Sequence, residues 1–155
     1  MPVEENIPLM RRWFQEVWNE GKTQTIYDLL SPNAVARGQS VHRSDLHGPA
    51  EFARFVEGIR AAFSDLKVTV EDVFGAEDKV VLRWSGKMTH DGDGLGVPAT
   101  CKAIRITGIT IARIDNGKII EGWDNWDQLG MFEQVGLFTY AGLGTTAELL
   151  HSSQR

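Results

Sequence analysis

Apolar residues recur every three or four positions in the first part of the chain and every second position in most of the remainder. In Glu4–Glu20, Ile7, Met10, Phe14 and Val17 share one helical face with Trp13 and Trp18 beside them, which predicts an amphipathic helix. Pro8 suits only a first turn, so the regular helix is expected from about Ile7, and Gly21 closes it. A shorter helix should start at a Thr23 or Thr25 cap and run through Leu30, with Ile26, Leu29 and Leu30 inward, until Ser31-Pro32-Asn33 breaks it. Ala34–Arg37 reads as a short strand and Gly38–His47 as a polar loop. Gly48-Pro49 opens a third helix whose stripe is Phe52, Phe55, Val56, Ile59 and Phe63.

From Leu66 onward the period is two. Leu66, Val68 and Val70 alternate with polar residues. In Lys79–His90 one face carries Val80, Leu82, Trp84, Gly86 and Met88. Asp91–Thr100 is Gly-rich and reads as a loop. Cys101–Asp115 predicts a long strand with Ile104, Ile106, Gly108, Thr110 and Ala112 on one side, and Asn116-Gly117 is a hairpin turn. The returning strand places Ile120, Gly122, Asp124 and Trp126 on one face and Ile119, Glu121, Trp123 and Asn125 on the other. Leu129–Gln134 is a short helix ending before Gly136. Three helices followed by four long antiparallel strands predict an α+β fold, with a curved sheet folding over its helices and enclosing a cavity.

At 155 residues the chain is long enough for one well-filled core. A net charge of −5 without a Lys/Arg cluster argues against a nucleic-acid partner, and no apolar run is long enough to span a membrane. An N-terminus without a signal-peptide layout makes the cytoplasm the expected location. The lone Cys101 has no internal disulfide partner and reads as a small apolar strand residue. The glycine clusters Gly92–Gly96 and Gly142–Gly144 match neither a P-loop nor a dinucleotide-binding pattern.

The chemically unusual residue is Asp124. A carboxylate on a strand between aromatic rings is disfavoured both by propensity and by desolvation. Such a group is either held by hydrogen bonds as a structural acceptor or kept for proton chemistry. Burial by Trp84 and Trp126 would raise its pKa towards neutrality. Asp127 falls on the opposite face and reads as a helix cap. His90, at a strand end beside the Gly-rich loop, is a candidate proton shuttle at a pocket mouth; a solvated loop histidine is the alternative. His42 and His47 sit in a loop that could close a pocket, but with Asp45 and Asp91 they form no recognised metal-ligand spacing. Arg37 either binds a substrate oxygen or makes a surface ion pair.

Several stretches resemble a known family: Trp18-Asn19-Glu20-Gly21-Lys22; His47-Gly48-Pro49 entering the Phe52/Phe55 helix; the Gly94–Thr100 loop; and Asn116-Gly117-Lys118-Ile119 through Trp123-Asp124 and Asp127 to Gln134-Val135-Gly136. Over roughly residues 5–136 the chain resembles the SnoaL-like polyketide cyclases, or ester cyclases, of the nuclear-transport-factor-2-like superfamily. The resemblance implies a cone-shaped fold, a deep apolar pocket, and neither a metal nor an organic cofactor. It also implies that Asp124 is the general acid/base of an intramolecular aldol closure. The family's cyclases face that aspartate with glutamine and histidine, where this chain has Gly108 and Thr110.

These readings combine into a domain over 1–136 with a separate tail, 137–155, expected to be dispensable. The pocket is expected to be walled by Trp84, Met88, Ile106, Thr110, Trp126 and Phe55, with Arg37 at its edge. Within it Asp124 takes a proton α to a carbonyl of a small apolar compound and His90 polarises or reprotonates the oxygen. The alternative is a non-catalytic ligand-binding or assembly protein with the same pocket. The outward residues Val81, Ala103, Ile109 and Ile111 are left uncovered by helices, which predicts a homodimer.

Overall fold

The structure is a computed structural model and describes residues 3–138. Its elements run in the order α1 (Val3–Trp13), a π-helical segment (Phe14–Asn19), α2 (Thr23–Leu29), β1 (Leu30–Arg37), β2 (Leu46–His47), α3 (Gly48–Ala62), β3 (Lys67–Ala76), β4 (Lys79–Thr89), β5 (Ala103–Asp115), β6 (Lys118–Trp126) and α4 (Gln128–Gln134). The six strands form one sheet in the order β2-β1-β6-β5-β4-β3. The four long strands are antiparallel as expected, but β1 pairs parallel to β6, so the sheet is mixed. The tail assigned to 137–155 lies almost wholly outside the described residues.

Three boundaries differ from the sequence expectation. The first helix begins at Val3 and runs through Pro8, and its second half relaxes into a π-helical segment from Phe14 to Asn19. β1 starts at Leu30 rather than Ala34 and includes Pro32, near a register irregularity that relieves the ladder of the missing N–H. In β6, Ile114 pairs with Ile119 while Arg113 pairs with Glu121, so Ile120 is bulged out. The bulge reverses the side-chain phase: Ile119, not Ile120, is buried in the core.

A second irregularity in β3, between Val70 and Asp72, adds to the bending of the sheet. The concave face is dry. β5 alternates buried Ile104, Ile106, Thr110, Ala112 and Ile114 with more exposed neighbours, and β4 does the same from Val80 to Met88. α1 and α3 cover this face through an aromatic cluster in which Phe52 meets Trp13 at 5.1 Å and Trp18 at 6.1 Å between ring centroids.

The Trp18–Lys22 stretch has a structural role. The Asn19 side chain donates to the Val68 carbonyl at 2.9 Å and accepts the Val68 N–H at 2.7 Å, which fixes the end of the π-helical segment to β3. Gly21 adopts a left-handed φ of 67° against the Arg60 side chain, which donates to the Trp18 carbonyl at 2.6 Å.

Candidate functional site

Between the concave sheet and α3 lies an inner cavity of about 40 Å³. Its wall includes Phe55, Trp84, Met88, Ile106, Thr110 and Trp126, with Asp124 reaching it from β6. Register explains the meeting: Asp124 pairs with Thr110 across β5 and β6, and Trp126 pairs with Gly108.

The polar groups in this wall are connected in one direction. Trp84 Nε1–H donates to Thr110 Oγ1 at 3.0 Å. Thr110 Oγ1–H in turn donates to Asp124 Oδ1. With its oxygen already accepting from the indole, the hydroxyl has its one proton free for the carboxyl group. Gly108 makes the arrangement possible, because a Cβ there would overlap the Trp84 ring. Gly108 thus accommodates the indole and Thr110 relays its hydrogen bond.

Asp124 keeps partial accessible surface, but that surface opens on the cavity, whose walls are almost entirely apolar and solvate a charge poorly. Desolvation pushes its pKa up to about 7, against the opposing pull of the Thr110 hydrogen bond. A carboxyl group balanced near neutrality can both take and return a proton.

Gln39 also lines the cavity and is buried. Its backbone carbonyl accepts Trp126 Nε1–H at 3.0 Å. The preceding Gly38 has φ 76° and passes so close to the Asp124 backbone that a Cβ would clash with its carbonyl. Nothing in the sequence marks Gln39, a polar residue in a polar loop; the nearest signal is the glycine before it.

His90 does not line the cavity. It continues the Trp84–Met88 face, is fully buried and packs on Phe63. Its Nδ1 lies 2.9 Å from Thr100 Oγ1 and accepts the Thr100 N–H at 3.3 Å, so it latches the 91–100 loop from within. Arg37 faces away from the cavity and pairs with Glu121 at 2.9 Å, the ion-pair alternative of the sequence reading. Asp127 caps α4, with Oδ1 accepting the Gly130 N–H at 2.9 Å. His42 and His47 are exposed, and Asp91 accepts hydrogen bonds from Ser64. Among the described residues no three His, Cys, Asp or Glu side chains converge on a possible metal site. Cys101 is exposed in a left-handed turn with φ 58° just ahead of β5, not inside a strand. No helix among the described residues is long and apolar enough to cross a membrane.

Comparison with known proteins identifies the family and the fold. The sequence pattern of the SnoaL-like polyketide cyclases matches residues 8–135. Aklanonic acid methyl ester cyclase DnrD of Streptomyces peucetius is 31% identical over 136 residues, covering 85% of this chain and 91% of the relative. The corresponding cyclase DauD of Streptomyces sp. strain C5 is also 31% identical, over 85% of this chain and 82% of its own length. A solved structure assigned as a SnoaL-like polyketide cyclase, from Jannaschia sp. CCS1, superposes with a TM-score of 0.79 at 22% identity, over 90% of this chain and 97% of the other, and establishes the shared cone fold.

Proposed function

Because the chain belongs to the SnoaL-like polyketide cyclase family, we propose that it catalyses cofactor-free aldol cyclisation of a polyketide ester, with Asp124 as the general acid/base. The observation that carries this reading is a single carboxyl group, raised to about 7, in an apolar cavity and held by one donated hydrogen bond.

In the proposed step, the Asp124 carboxylate removes a proton from the carbon α to a carbonyl. The C–H pair becomes the enolate. The enolate carbon then attacks a ketone carbon of the same molecule, forming one C–C bond, and the resulting alkoxide takes the proton back from Asp124. Nothing leaves, so the product is an isomer of the substrate. Thr110 fixes Oδ1 and directs Oδ2 to the substrate. The Gln39 amide is the neutral donor for the developing enolate oxygen, a role the sequence reading gave to His90, which lies outside the cavity wall.

Aklanonic acid methyl ester, on which the relatives are named as acting, is the first substrate to assay. The expected result is a cyclised product of unchanged mass. Its rate of formation should fall about 10²–10⁴-fold in Asp124→Asn, the usual worth of a placed acid/base. The small inner cavity favours a second reading, a ligand-binding protein without turnover. That reading predicts saturable binding of the ester and no isomer.

A further inference from the structure

Along β5 and β6 the wall of the inner cavity passes into that of a second, smaller chamber. Ile106 and Trp126 line only the first space, Thr110 and Asp124 line both, and Ala112 and Gly122 line only the second. The chamber measures about 30 Å³ and lies towards β1, beside Trp13 and Phe52. Strand register accounts for it. Ala36, Gly122 and Ala112 stand in one row across β1, β6 and β5, so three adjoining strands present a methyl group or less at this level. A Cβ on Gly122 would meet only the Ile111 carbonyl, at 3.8 Å, so the space beside it is open.

The polar groups at this chamber have bonding capacity to spare. Asp124 accepts one hydrogen bond, from Thr110, whereas an ionised carboxylate offers about four lone-pair sites. Gln39 is only 7% exposed, and among the described residues its side-chain amide has no hydrogen-bond partner. Thr110 Oγ1 accepts from Trp84 and keeps a second lone pair. Buried polar groups in native proteins are paired with protein or with ordered water. A buried water needs about 10–15 Å³ and two to four polar partners. The chamber meets both conditions, with a carboxylate, an amide and a hydroxyl in its wall. Among the described residues Asp124 is the one titratable side chain lining either space.

We propose that the chamber is a water-binding site from which Asp124 is solvated. One water donates to the Asp124 carboxylate and shares a second hydrogen bond with the Gln39 amide. The carboxyl group then keeps an apolar wall on the side of Trp84 and Met88, while its basic form is sustained from the side of Gly122. The amide has two N–H groups and one oxygen, so holding the water leaves a donor for a substrate oxygen. Gly122 acts as a positioning residue, because its missing side chain makes the room. The water site stands independently of the aldol reading; only its effect on a reaction rests on that reading.

The test is a crystal structure of the substrate-free protein, at a resolution that places waters and a pH above the Asp124 midpoint. The expected density is one ordered water within hydrogen-bond distance of both the Asp124 carboxyl group and the Gln39 side-chain amide. Gly122→Val should fill the chamber and expel it, since valine suits a strand and its Cβ finds space. The ¹³C midpoint of Asp124 should rise by about one pH unit in that variant, because a hydrogen bond to the charged form is lost. Gln39→Leu removes a partner of the water rather than the room, and should lose the water and raise the midpoint in the same direction. If Gly122→Val does not fold, Ala112→Val fills the same space from β5. A dry chamber in the wild type, a Gln39 amide bonded straight to Asp124, or a midpoint that the filled variant leaves in place would overturn the proposal. None of these readouts involves turnover, so a protein that holds the water and cyclises no ester contradicts the aldol reading and not this one.

Discussion

The indole of Trp84 lies across Gly108, its partner in the β4–β5 ladder, in the space a side chain at that position would occupy. From there its N–H reaches Thr110, and Thr110 reaches Asp124. A packing relationship between a ring and a missing Cβ thus sets the hydrogen bonding of the one carboxyl group that the described residues place in the cavity wall.

Gly108→Ala is expected to displace the Trp84 ring. Overpacking of this kind costs about 1–3 kcal/mol. A lowered melting temperature should accompany a moved Trp84 indole N–H resonance and loss of its hydrogen bond. An unchanged indole signal would show that the ring does not depend on the glycine.

Thr110→Val removes the hydrogen bond that holds down the Asp124 pKa, so that pKa should rise further above about 7. The basic form then appears at higher pH, and the acidic limb of the rate profile should move the same way. Thr110→Ser restores the hydroxyl and should restore the profile. A valine variant that is slower at every pH with an unmoved limb would assign Thr110 a packing role instead.

Stability should carry the signature of a raised carboxyl pKa. The folded protein retains the Asp124 proton up to about 7, while the unfolded chain releases it near 3.9. Over that window the folded state binds more protons, so stability is greatest below it and falls as pH rises through it, by ~4 kcal/mol in full. Asp124→Asn carries no such slope. Its melting temperature relative to wild type should therefore rise between pH 4 and pH 8, and a constant difference across that range would contradict the shift.

The convex face of the sheet predicts self-association. Phe74, Val81, Ile111 and Trp123 are in register across β3 to β6, with Phe74 58% and Ile109 47% exposed. The described helices cover the concave face, and a second copy covering this one gives a homodimer. Sedimentation should give a particle of twice 17.3 kDa that Ile109→Glu converts to the monomer. A monomeric wild type at micromolar concentration would rule this out.

The helical stripes and the alternation in β4 and β5 were legible because burial writes a period into the sequence, whereas the pairing of Asp124 with Thr110 needs the bulge at Ile120 as well as the Asn116-Gly117 turn, since the turn's own register would set Trp123 opposite Thr110. Where the chain breaks its own period the reading failed. The bulge at Ile120 swapped the faces of two isoleucines, and Pro32 concealed the start of β1. The place of Gln39 depends on Gly38 meeting β6 from 86 positions away, which no local pattern records. His90 was displaced from its expected role because continuing the alternation of β4 carried it into the core rather than to a pocket mouth.

The central claim is that Asp124 is a base tuned to neutrality by an apolar cavity. Its most direct test needs no substrate: a ¹³C NMR titration of the aspartate carboxyl groups, with the Asp124 signal identified by its loss in Asp124→Asn. The account predicts a midpoint near 7. A midpoint near 4, the ordinary range of an exposed aspartate, would contradict it.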